Sequence, residues 1–313
     1  MAASEHALAI VGGGPAGLTA GIYAARDRLD TVLLEAKPLT GGQIVFTDVV
    51  ENYPGFPEPL SGAELMDKMR KQAERFDLQI ATAEIGTVRA QGDKYLLAGD
   101  KADYLAQAVI VATGTESQKL GVPGEEEFWG AGVSTCATCD GPLYRDKPVA
   151  VVGGGDSAVK EAVYLTKFAS KVYVIHRRDR LRAEKIIQEV ALANEKVEFV
   201  WDTVVTEMAG KDGLEALKLK HVKTGAESEV AVDCVFLYVG VRPNTDLVKG
   251  LVELDERGLI VTDDDMRTSA PGIFAAGDCR SKKLKQVATA VGEGAVAAYS
   301  AQEYITGGPY GGG

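Results

Sequence analysis

The feature that most constrains the fold is a glycine-rich turn that occurs twice, each time between an apolar strand and a helix. The first turn is GGGPAG at residues 12–17, and the second is GGGDSA at residues 153–158. In the G-x-G-x-x-G pattern, the first glycine permits a tight turn, the second lets the backbone approach a pyrophosphate, and the third lets helix and strand pack closely. Alanine is an accepted variant at the last position. The sequence therefore predicts two dinucleotide-binding βαβ units.

The strands and helices around each turn follow the same order. The first unit is predicted as strand 7–11, a helix to about residue 26 and strand 31–35; the second is predicted as strand 148–152, a helix through residue 168 and strand 171–175. Between them, Ser61 to Glu64 is a capping-box pattern that predicts a helix with Leu65, Met69, Ala73 and Phe76 on one face.

Two further structures are predicted after the second unit. Residues 214–220 and 229–239 flank a Lys-Thr-Gly turn and are predicted to form a hairpin. Residues 272–278 are predicted as a buried strand and loop, followed by a helix from about residue 287 to residue 304.

The residues that follow the second strand of each unit carry opposite charge. Glu35 ends the first unit, where a carboxylate accepts hydrogen bonds from ribose hydroxyls and repels a 2′-phosphate. The second unit ends in HRRDRLR at residues 176–182, whose guanidinium groups suit a phosphate. We therefore expect FAD or NAD in the first site and NADPH, in preference to NADH, in the second. A surface glutamate and a solvated basic face are the alternatives.

Composition narrows the classes of function. A chain of 313 residues that is 46% hydrophobic is long enough for two domains. Its net charge of -11 disfavours nucleic acid as a partner. The sequence contains no apolar run of about 20 residues and no secretory signal pattern, so we expect a cytoplasmic enzyme without a membrane partner.

Two of the four cysteines form a C-x-x-C motif, Cys136 and Cys139, which suits either redox chemistry or half of a zinc site. The remaining cysteines and the three histidines form no second paired motif, so we predict no metal site and a redox-active disulfide. Asp140 is a candidate proton donor to a leaving thiolate, with a solvated turn aspartate as the alternative. Cys234 is predicted to be an inert core residue, and Cys279 has no evident resolving partner.

With these motifs placed, the chain resembles the low-molecular-weight thioredoxin reductases along nearly its whole length. The matching motifs, in chain order, are GGGPAG, GGQ (41–43), ENYPG (51–55), ATG (112–114), CATCDG (136–141), GGGDSA, HRRDRLR, GIFAAGD (272–278) and KQVATA (285–290). The resemblance departs at Ala131, Pro142 and Leu143, where some members have an arginine and two aromatics, so docking of the partner is expected to differ.

The resemblance implies an α/β fold with two Rossmann-like dinucleotide-binding domains, the second inserted into the first. The FAD-binding domain is predicted to comprise residues 1–115 and 246–313, and the NADPH-binding domain, which carries the cysteine pair, residues 116–245. The inserted domain is expected to rotate about hinges at residues 114–117 and 240–244. Family members are homodimers.

The turns and the matching motifs together give the predicted cofactor residues. Those for FAD are Gly12, Gly14, Pro15, Ala16, Gly17, Glu35, Ala36, Gly42, Gln43, Asn52, Ala112, Thr113, Gly114, Gly277, Asp278, Lys285, Gln286 and Val287. Those for NADPH are Gly153, Gly155, Asp156, Ser157, Ala158, His176, Arg177, Arg178 and Arg182.

By the same resemblance, hydride passes from NADPH to FAD, then to the disulfide, and thiol–disulfide exchange then reduces thioredoxin. Cys139 is expected beside the flavin, with Cys136 attacking the partner and Asp140 assisting. The nearest alternative is a reductase of another thioredoxin-like or peroxidase-linked protein. Further alternatives are a ferredoxin-NADP reductase, which needs no cysteine pair, and a non-catalytic redox sensor.

Overall fold

The computed structural model of the protein describes residues 3–47 and 50–308. The chain divides into two compact units: unit 1 comprises Met1–Glu116 and Arg242–Gly313, and unit 2 comprises Ser117–Val241. The second unit is thus inserted into the first. The assignment of FAD to one unit and NADPH to the other stays a prediction.

The helices and strands are numbered in chain order. The α-helices are α1 (Pro15–Arg26), α2 (Gly62–Glu74), α3 (Ala137–Asp140), α4 (Asp156–Leu165), α5 (Lys185–Leu192) and α6 (Val287–Thr306). The strands are β1 (Ser4–Val11), β2 (Thr31–Glu35), β3 (Gln79–Thr82), β4 (Ile85–Gln91), β5 (Lys94–Gly99), β6 (Tyr104–Val111), β7 (Thr115–Ser117), β8 (Val133–Ser134), β9 (Pro148–Gly153), β10 (Lys171–Ile175), β11 (Val197–Val200), β12 (Thr203–Gly210), β13 (Leu214–His221), β14 (Glu227–Ala231), β15 (Cys234–Tyr238), β16 (Val241–Pro243) and β17 (Ile273–Ala275). Short 3₁₀ helices span Gly42–Phe46, Gly141–Tyr144 and Asp246–Val248.

The sheet of unit 1 has the strand order β3-β2-β1-β6-β5-β4, and β17 also pairs with β6. Strands β2, β1, β6 and β17 are parallel, and their last core residues lie side by side in the register: Leu34, Val11, Val111 and Ala275. Because the carboxyl ends of parallel strands meet at one edge, the chain leaves the sheet there at Gly12, Glu35, Ala112 and Ala276. This edge is the one that carries ligands in doubly wound folds.

Helix α2 forms as its capping pattern predicts. The Ser61 hydroxyl accepts a hydrogen bond from the Glu64 amide at 3.1 Å, which satisfies one of the orphan N–H groups of the first turn. Leu65, Met69 and Ala73 are buried in the core of unit 1, and Phe76, just past the end of the helix, packs against that core.

The main sheet of unit 2 has the order β11-β10-β9-β15-β8, with every neighbouring pair parallel. A separate antiparallel sheet is formed by β12, β13 and β14. In the parallel sheet, Tyr238 at the end of β15 lies opposite Gly153, the first glycine of the second turn. The second turn therefore also lies at the carboxyl edge of a parallel sheet.

The predicted hairpin is wrong in its second arm. Residues 229–239 do not form one strand, because β14 ends at Ala231 and pairs with β13, whereas β15 begins at Cys234 and enters the parallel sheet. The Asp233 amide donates to the Pro148 carbonyl and starts that second pairing. Residues 234–237 are fully buried, and a continuous apolar run is typical of a strand covered on both faces.

Other differences lie at the ends of elements. Helix α4 ends at Leu165 rather than at residue 168, because Lys167 and Phe168 donate to carbonyls three residues back and tighten the chain into turns. Strand β1 begins at Ser4, and α6 extends to Thr306, where Gly307 follows in the left-handed region at φ 68°.

The chain passes between the units through β7 and β16, which pair as a two-stranded sheet. Next to this sheet, the Thr113 hydroxyl donates to the backbone carbonyl of Asn244 at 2.6 Å. The backbone amide of Asn244 donates to the Gly114 carbonyl at 3.1 Å. The predicted hinges fall in these connecting segments, and rotation about them stays a prediction. Within the described ranges, no helix has the length and apolar character needed to cross a membrane.

Two leucines test whether the core of unit 2 is as described. Leu165 is fully buried in helix α4, whereas Leu192 in helix α5 is 59% exposed. We expect Leu165→Ala to lower the free energy of unfolding of unit 2 by about 2–5 kcal/mol because it leaves a cavity. Leu192→Ala is expected to change it by less than about 0.5 kcal/mol.

Urea unfolding followed by tryptophan fluorescence measures this directly, since both tryptophans of the chain, Trp129 and Trp201, lie in unit 2. Equal losses of stability in the two variants would contradict the packing of α4.

Candidate active site

The glycines of the first turn differ in whether the protein's own packing requires them. Gly12 has φ 107°, and a Cβ there would lie 2.4 Å from the Ala112 carbonyl oxygen. A Cβ on Gly17 would lie 1.8 Å from the Gly12 carbonyl oxygen. Gly14 has an ordinary φ of -74°, and a Cβ there meets no atom of the described residues within 4 Å. The middle glycine thus leaves its backbone open, as a bound pyrophosphate requires.

Glu35 is fixed at the end of β2 with both carboxylate oxygens directed. Its Oε2 accepts a hydrogen bond from the Gly13 amide at 2.7 Å, and its Oε1 accepts one from the Lys37 amide at 2.9 Å. Each carboxylate oxygen retains a further lone pair. Glu35 can therefore accept hydrogen bonds from ribose hydroxyls beside the turn, and its role in binding the cofactor stays a prediction. Ala36 follows it on the exposed side.

Distant parts of the sequence complete the surroundings of the first turn. The Gln43 side-chain amide donates to the Thr115 carbonyl, and the Asn52 amide donates to Gln286 Oε1 at 3.0 Å. A Cβ on Gly42 would lie 3.6 Å from the Gly14 Cα. Pro15 begins α1 at a position where its missing N–H costs nothing. The structure thus places the GGQ motif against the GGGPAG turn and joins the ENYPG motif to the KQVATA motif.

The C-terminal loop reaches the same edge through β17. A Cβ on Gly277 would lie 3.1 Å from the Ala16 Cβ, so this loop packs against the start of α1. Residues 112–114, which follow β6, lie beside it because β6 and β17 are paired. Val287 begins α6 after Gln286, whose capping box with Thr289 satisfies the helix start.

A carboxylate that sequence analysis missed holds this loop. Glu293 Oε2 accepts hydrogen bonds from the Gly277 amide at 2.8 Å and from Lys282 Nζ at 3.0 Å. Its Oε1 forms an ion pair with Arg280 Nη1 at 3.1 Å. The only sequence signal is an acid within the run of small residues that forms the first half of α6. Glu293, a residue of α6, therefore holds the loop at residues 277–282 in place.

Asp278 presents an oxygen that the protein leaves without a hydrogen bond. Its buried Oδ1 lies 3.3 Å from Lys282 Nζ as an ion pair, and it has no hydrogen-bond partner among the described residues. Lys285 Nζ donates to the Asp278 carbonyl at 2.9 Å, and burial lowers the pKa of Lys285 below its ordinary value. The ion pair with Lys282 leaves Asp278 Oδ1 able to accept a hydrogen bond, so Asp278 fits a ligand that supplies hydroxyl groups, such as a ribityl chain.

The second glycine turn repeats the pattern of the first. Gly153 has φ 154°, and a Cβ there would lie 2.6 Å from the Tyr238 carbonyl oxygen and 2.7 Å from the Ala158 Cβ. Gly154 packs against His176, whose ring would lie 2.3 Å from an added Cβ. Gly155 has φ -96°, and a Cβ added there would have no atom within 4 Å in the part of the chain that the structure describes. The middle position is again open, next to Ser157 in the first turn of α4.

His176 supports this turn as a neutral ring. It is 5% exposed, and burial lowers its pKa, with the neighbouring arginines acting in the same direction. Its buried Nε2 has no hydrogen-bond partner among the described residues, which leaves a polar atom free for a ligand. His176 therefore adds no positive charge to the cluster at neutral pH.

The arginine cluster lies exposed beside the second turn. Arg177, Arg178 and Arg182 are exposed, and within the described residues none of them forms an ion pair with a carboxylate. The Arg182 amide donates to the Gly154 carbonyl at 2.7 Å, which ties the cluster to the turn. Unpaired guanidinium groups at this place are suited to bind a phosphate.

The acidic residues near the arginine cluster contact groups other than these arginines. Asp179 pairs with Lys223 Nζ at 3.2 Å, and Asp156 Oδ1 accepts a hydrogen bond from the Glu184 amide at 2.7 Å. Asp156 was predicted to contact NADPH; in the structure its side chain holds the segment that follows the cluster. Its main chain still begins helix α4 beside Gly155.

Cys136 and Cys139 form a disulfide on a single helical turn, α3, which also contains Asp140. Cys139 is exposed, whereas Cys136 and Asp140 are half-buried. Cys136 occupies the N-cap position, and its Sγ accepts a hydrogen bond from the Cys139 amide at 3.2 Å. After reduction, that amide can stabilise a thiolate on Cys136, because a hydrogen bond to the charged form favours it.

The other cysteines are buried and unreactive. Burial raises the pKa of the Cys234 thiol to about 12 and also raises that of Cys279. The Cys279 thiol donates to the Val111 carbonyl at 3.3 Å and to the Ala276 carbonyl at 3.4 Å. Cys279 therefore links the ends of β6 and β17, which is a structural role that the sequence left open.

Comparison with known proteins gives consistent matches over nearly the whole chain. A family model described as pyridine nucleotide-disulphide oxidoreductase matches residues 6–294. The chain is 48% identical to the thioredoxin reductase of Listeria innocua over 310 residues, which cover 97% of this chain and 96% of that protein. It is 46% identical to the thioredoxin reductase of Treponema pallidum over 302 residues, with coverages of 96% and 98%.

A solved structure gives the same result. The crystal structure of Lactococcus lactis thioredoxin reductase (FR conformation) matches with a TM-score of 0.94 and 43% sequence identity. The match covers 96% of this chain and 99% of that chain.

Gly14→Ala tests whether the open glycine serves a ligand. A methyl group at Gly14 has space in the protein, so we expect unchanged stability but a lower flavin content after purification, since the methyl blocks the approach of a pyrophosphate. The matched control is Gly292→Ala, at an exposed position in α6 that also has open space.

Flavin absorbance per chain and thermal unfolding are measured for both variants. We expect the control to keep its flavin and to gain roughly 0.5–1 kcal/mol of stability from the loss of a helical glycine. A Gly14→Ala protein with full flavin content would contradict the assignment of this turn to the cofactor.

Proposed function

The chain belongs to the pyridine nucleotide-disulphide oxidoreductase family, and we propose that its electrons pass from NADPH through FAD to the Cys136–Cys139 disulfide and then to oxidised thioredoxin. The protein is a thioredoxin reductase by its similarity to relatives of that name over nearly their full length. It works with a flavin and a nicotinamide cofactor. We propose that these cofactors are FAD and NADPH and that the residues described below bind them.

The observation that carries the proposal is the position of the disulfide. It lies in the same unit as the second glycine turn, whose flanking arginines form no ion pair with a carboxylate among the described residues. The other unit holds the first glycine turn, which is flanked by the carboxylate of Glu35. Two nucleotide sites and one disulfide suit a chain that moves electrons from a nicotinamide to a sulfur pair.

FAD fits the first site on the chemistry of its donors and acceptors. Glu35 suits ribose hydroxyls, Gly14 leaves space for a pyrophosphate, and Asp278 offers an acceptor to a ribityl hydroxyl. When bound, the flavin accepts electrons from the reduced nicotinamide and delivers them to a disulfide. Glu293 keeps the loop that carries Asp278 in place.

NADPH fits the second site because of the charge beside it. Arg177, Arg178 and Arg182 are exposed and unpaired in the described part of the chain, so they are available for a 2′-phosphate. A carboxylate occupies the corresponding place in the first site. The difference in charge therefore separates the two nucleotides.

The cysteine pair completes the reaction by thiol–disulfide exchange. Two electrons and two protons convert the Cys136–Cys139 disulfide to two thiols. Cys136, as a thiolate held by the Cys139 amide, attacks a sulfur of the partner disulfide and forms a mixed disulfide, releasing one partner thiol. Cys139 then attacks Cys136, which reforms the internal disulfide and frees the second partner thiol. We propose that Asp140, which belongs to the same helical turn, donates a proton to a leaving thiolate.

Further expectations accompany this function. We propose thioredoxin as the partner, and reduction of another thioredoxin-like protein instead would be found with a panel of purified oxidised partners. A homodimeric assembly and a cytoplasmic location stay predictions.

Substitution of Cys139 tests the route of the electrons. In the Cys139→Ser variant, we expect NADPH to bleach the flavin under anaerobic conditions while the reduction of thioredoxin is abolished, because the internal disulfide can no longer form. The buried Cys234 provides the control, and Cys234→Ala is expected to retain turnover of thioredoxin. Stopped-flow absorbance and a coupled thioredoxin assay give the two measurements. Full thioredoxin turnover by Cys139→Ser would refute the route.

The double variant Arg177→Ala/Arg178→Ala tests the nicotinamide site. Loss of charge-assisted hydrogen bonds to a phosphate is expected to raise the KM for NADPH roughly 10- to 100-fold, with a much smaller change for NADH. The control variant Lys211→Ala/Lys220→Ala removes two exposed positive charges from the antiparallel part of unit 2. An unchanged ratio of the two KM values in the arginine variant would show that the cluster does not select NADPH.

A further inference from the structure

Tyr238 connects the second glycine turn to the redox pair within unit 2. It is the last residue of β15, in the parallel sheet, and its backbone lies opposite Gly153. Its carbonyl oxygen would lie 2.6 Å from a Cβ on Gly153, so the glycine turn packs directly against it. The side chain of Tyr238 extends from this point toward α3.

The hydroxyl of Tyr238 accepts a hydrogen bond from the Ala137 amide at 3.1 Å. Ala137 is the first helical residue after Cys136, and its methyl group is buried in the core with Val149, Val151 and Phe236. Amides in the first turn of a helix have no partner within the helix and need an acceptor from elsewhere. Tyr238 supplies this acceptor for Ala137.

Two backbone amides of α3, those of Ala137 and Cys139, thus have different acceptors. The Ala137 amide is held by Tyr238, and the Cys139 amide is directed at Cys136 Sγ. Because both amides belong to a single helical turn, fixing the first restrains the direction of the second. When the disulfide is reduced, this restraint keeps the Cys139 amide directed at the Cys136 sulfur as a hydrogen-bond donor.

We propose that Tyr238 is a positioning residue for the redox turn, whose hydroxyl holds the Ala137 amide and thereby keeps the Cys139 amide on the Cys136 thiolate. This inference rests on the proposed function of Cys136 as the attacking thiol. Tyr238 itself does not contact the partner's sulfur, and its effect is on the fraction of Cys136 that is present as thiolate.

The charged and titratable groups that face Tyr238 are Glu161 of α4, Asp140 of α3 and Cys234 at the start of its own strand. Burial, together with the charge of Glu161, raises the pKa of Tyr238 above its ordinary value. The hydroxyl therefore stays protonated over the range in which an accessible thiol titrates. A change in the pH profile of Cys136 then reports on hydrogen bonding and not on ionisation of the tyrosine.

The test is the alkylation of Cys136 by iodoacetamide as a function of pH, in the flavin-loaded Cys139→Ser protein with and without Tyr238→Phe. Phenylalanine keeps the ring and removes only the hydroxyl. We expect the rate at neutral pH to fall roughly two- to tenfold, the effect of one hydrogen bond, and the midpoint of the profile to move to higher pH. Peptide mass spectrometry assigns the label, and Tyr173→Phe, in the neighbouring strand β10, is the control expected to change nothing.

In the otherwise unaltered enzyme, Tyr238→Phe is expected to lower thioredoxin turnover by a similar factor without raising the KM for NADPH. Identical alkylation profiles with and without the hydroxyl would overturn the inference. So would a raised KM for NADPH with an unchanged profile, since that would assign Tyr238 to the nucleotide site. Failure of the proposed function is distinguishable, because the unaltered enzyme itself would then not reduce thioredoxin.

Discussion

The alignment of the carboxyl ends of parallel strands is the constraint on which the rest of the structure depends. In unit 1, β1, β2, β6 and β17 end together, and their connecting loops enter the same space. The same holds for β9 and β15 in unit 2. Each glycine turn then needs its first glycine for the close approach of a neighbouring carbonyl, while its middle glycine remains open. The fold itself therefore creates two places for a pyrophosphate.

Charge and sulfur chemistry distinguish these two places. A carboxylate anchored by main-chain amides lies beside the first turn, and exposed guanidinium groups without an ion-pair partner in the described part of the chain lie beside the second. Unit 2 also holds the disulfide, on a turn whose amides are directed at a strand-end tyrosine and at the Cys136 sulfur. The proposed selection of nucleotides and activation of the thiol thus depend on short contacts at the carboxyl edges of two parallel sheets, one in each unit.

The sequence predicted the parts of this arrangement that are local. Both turns, the Ser61 cap and the flanking strands could be recognised because their signals lie within a few residues. The prediction of one hairpin arm at residues 229–239 was wrong. The pattern of apolar residues alone does not show that the chain leaves the antiparallel sheet and enters the parallel sheet near Asp233. Tyr238 was missed because its partner Ala137 lies 101 residues away in the sequence. Glu293 was missed because no local pattern links it to the loop residues Gly277 and Lys282 that it holds.

The most direct test of the account is an anaerobic titration of the purified flavoprotein with dithionite, with flavin absorbance and free thiols followed together. The account predicts that complete bleaching requires one electron pair for the flavin and a second for the disulfide, and that new thiols appear at Cys136 and Cys139. Complete bleaching after a single electron pair, with the disulfide intact, would contradict it.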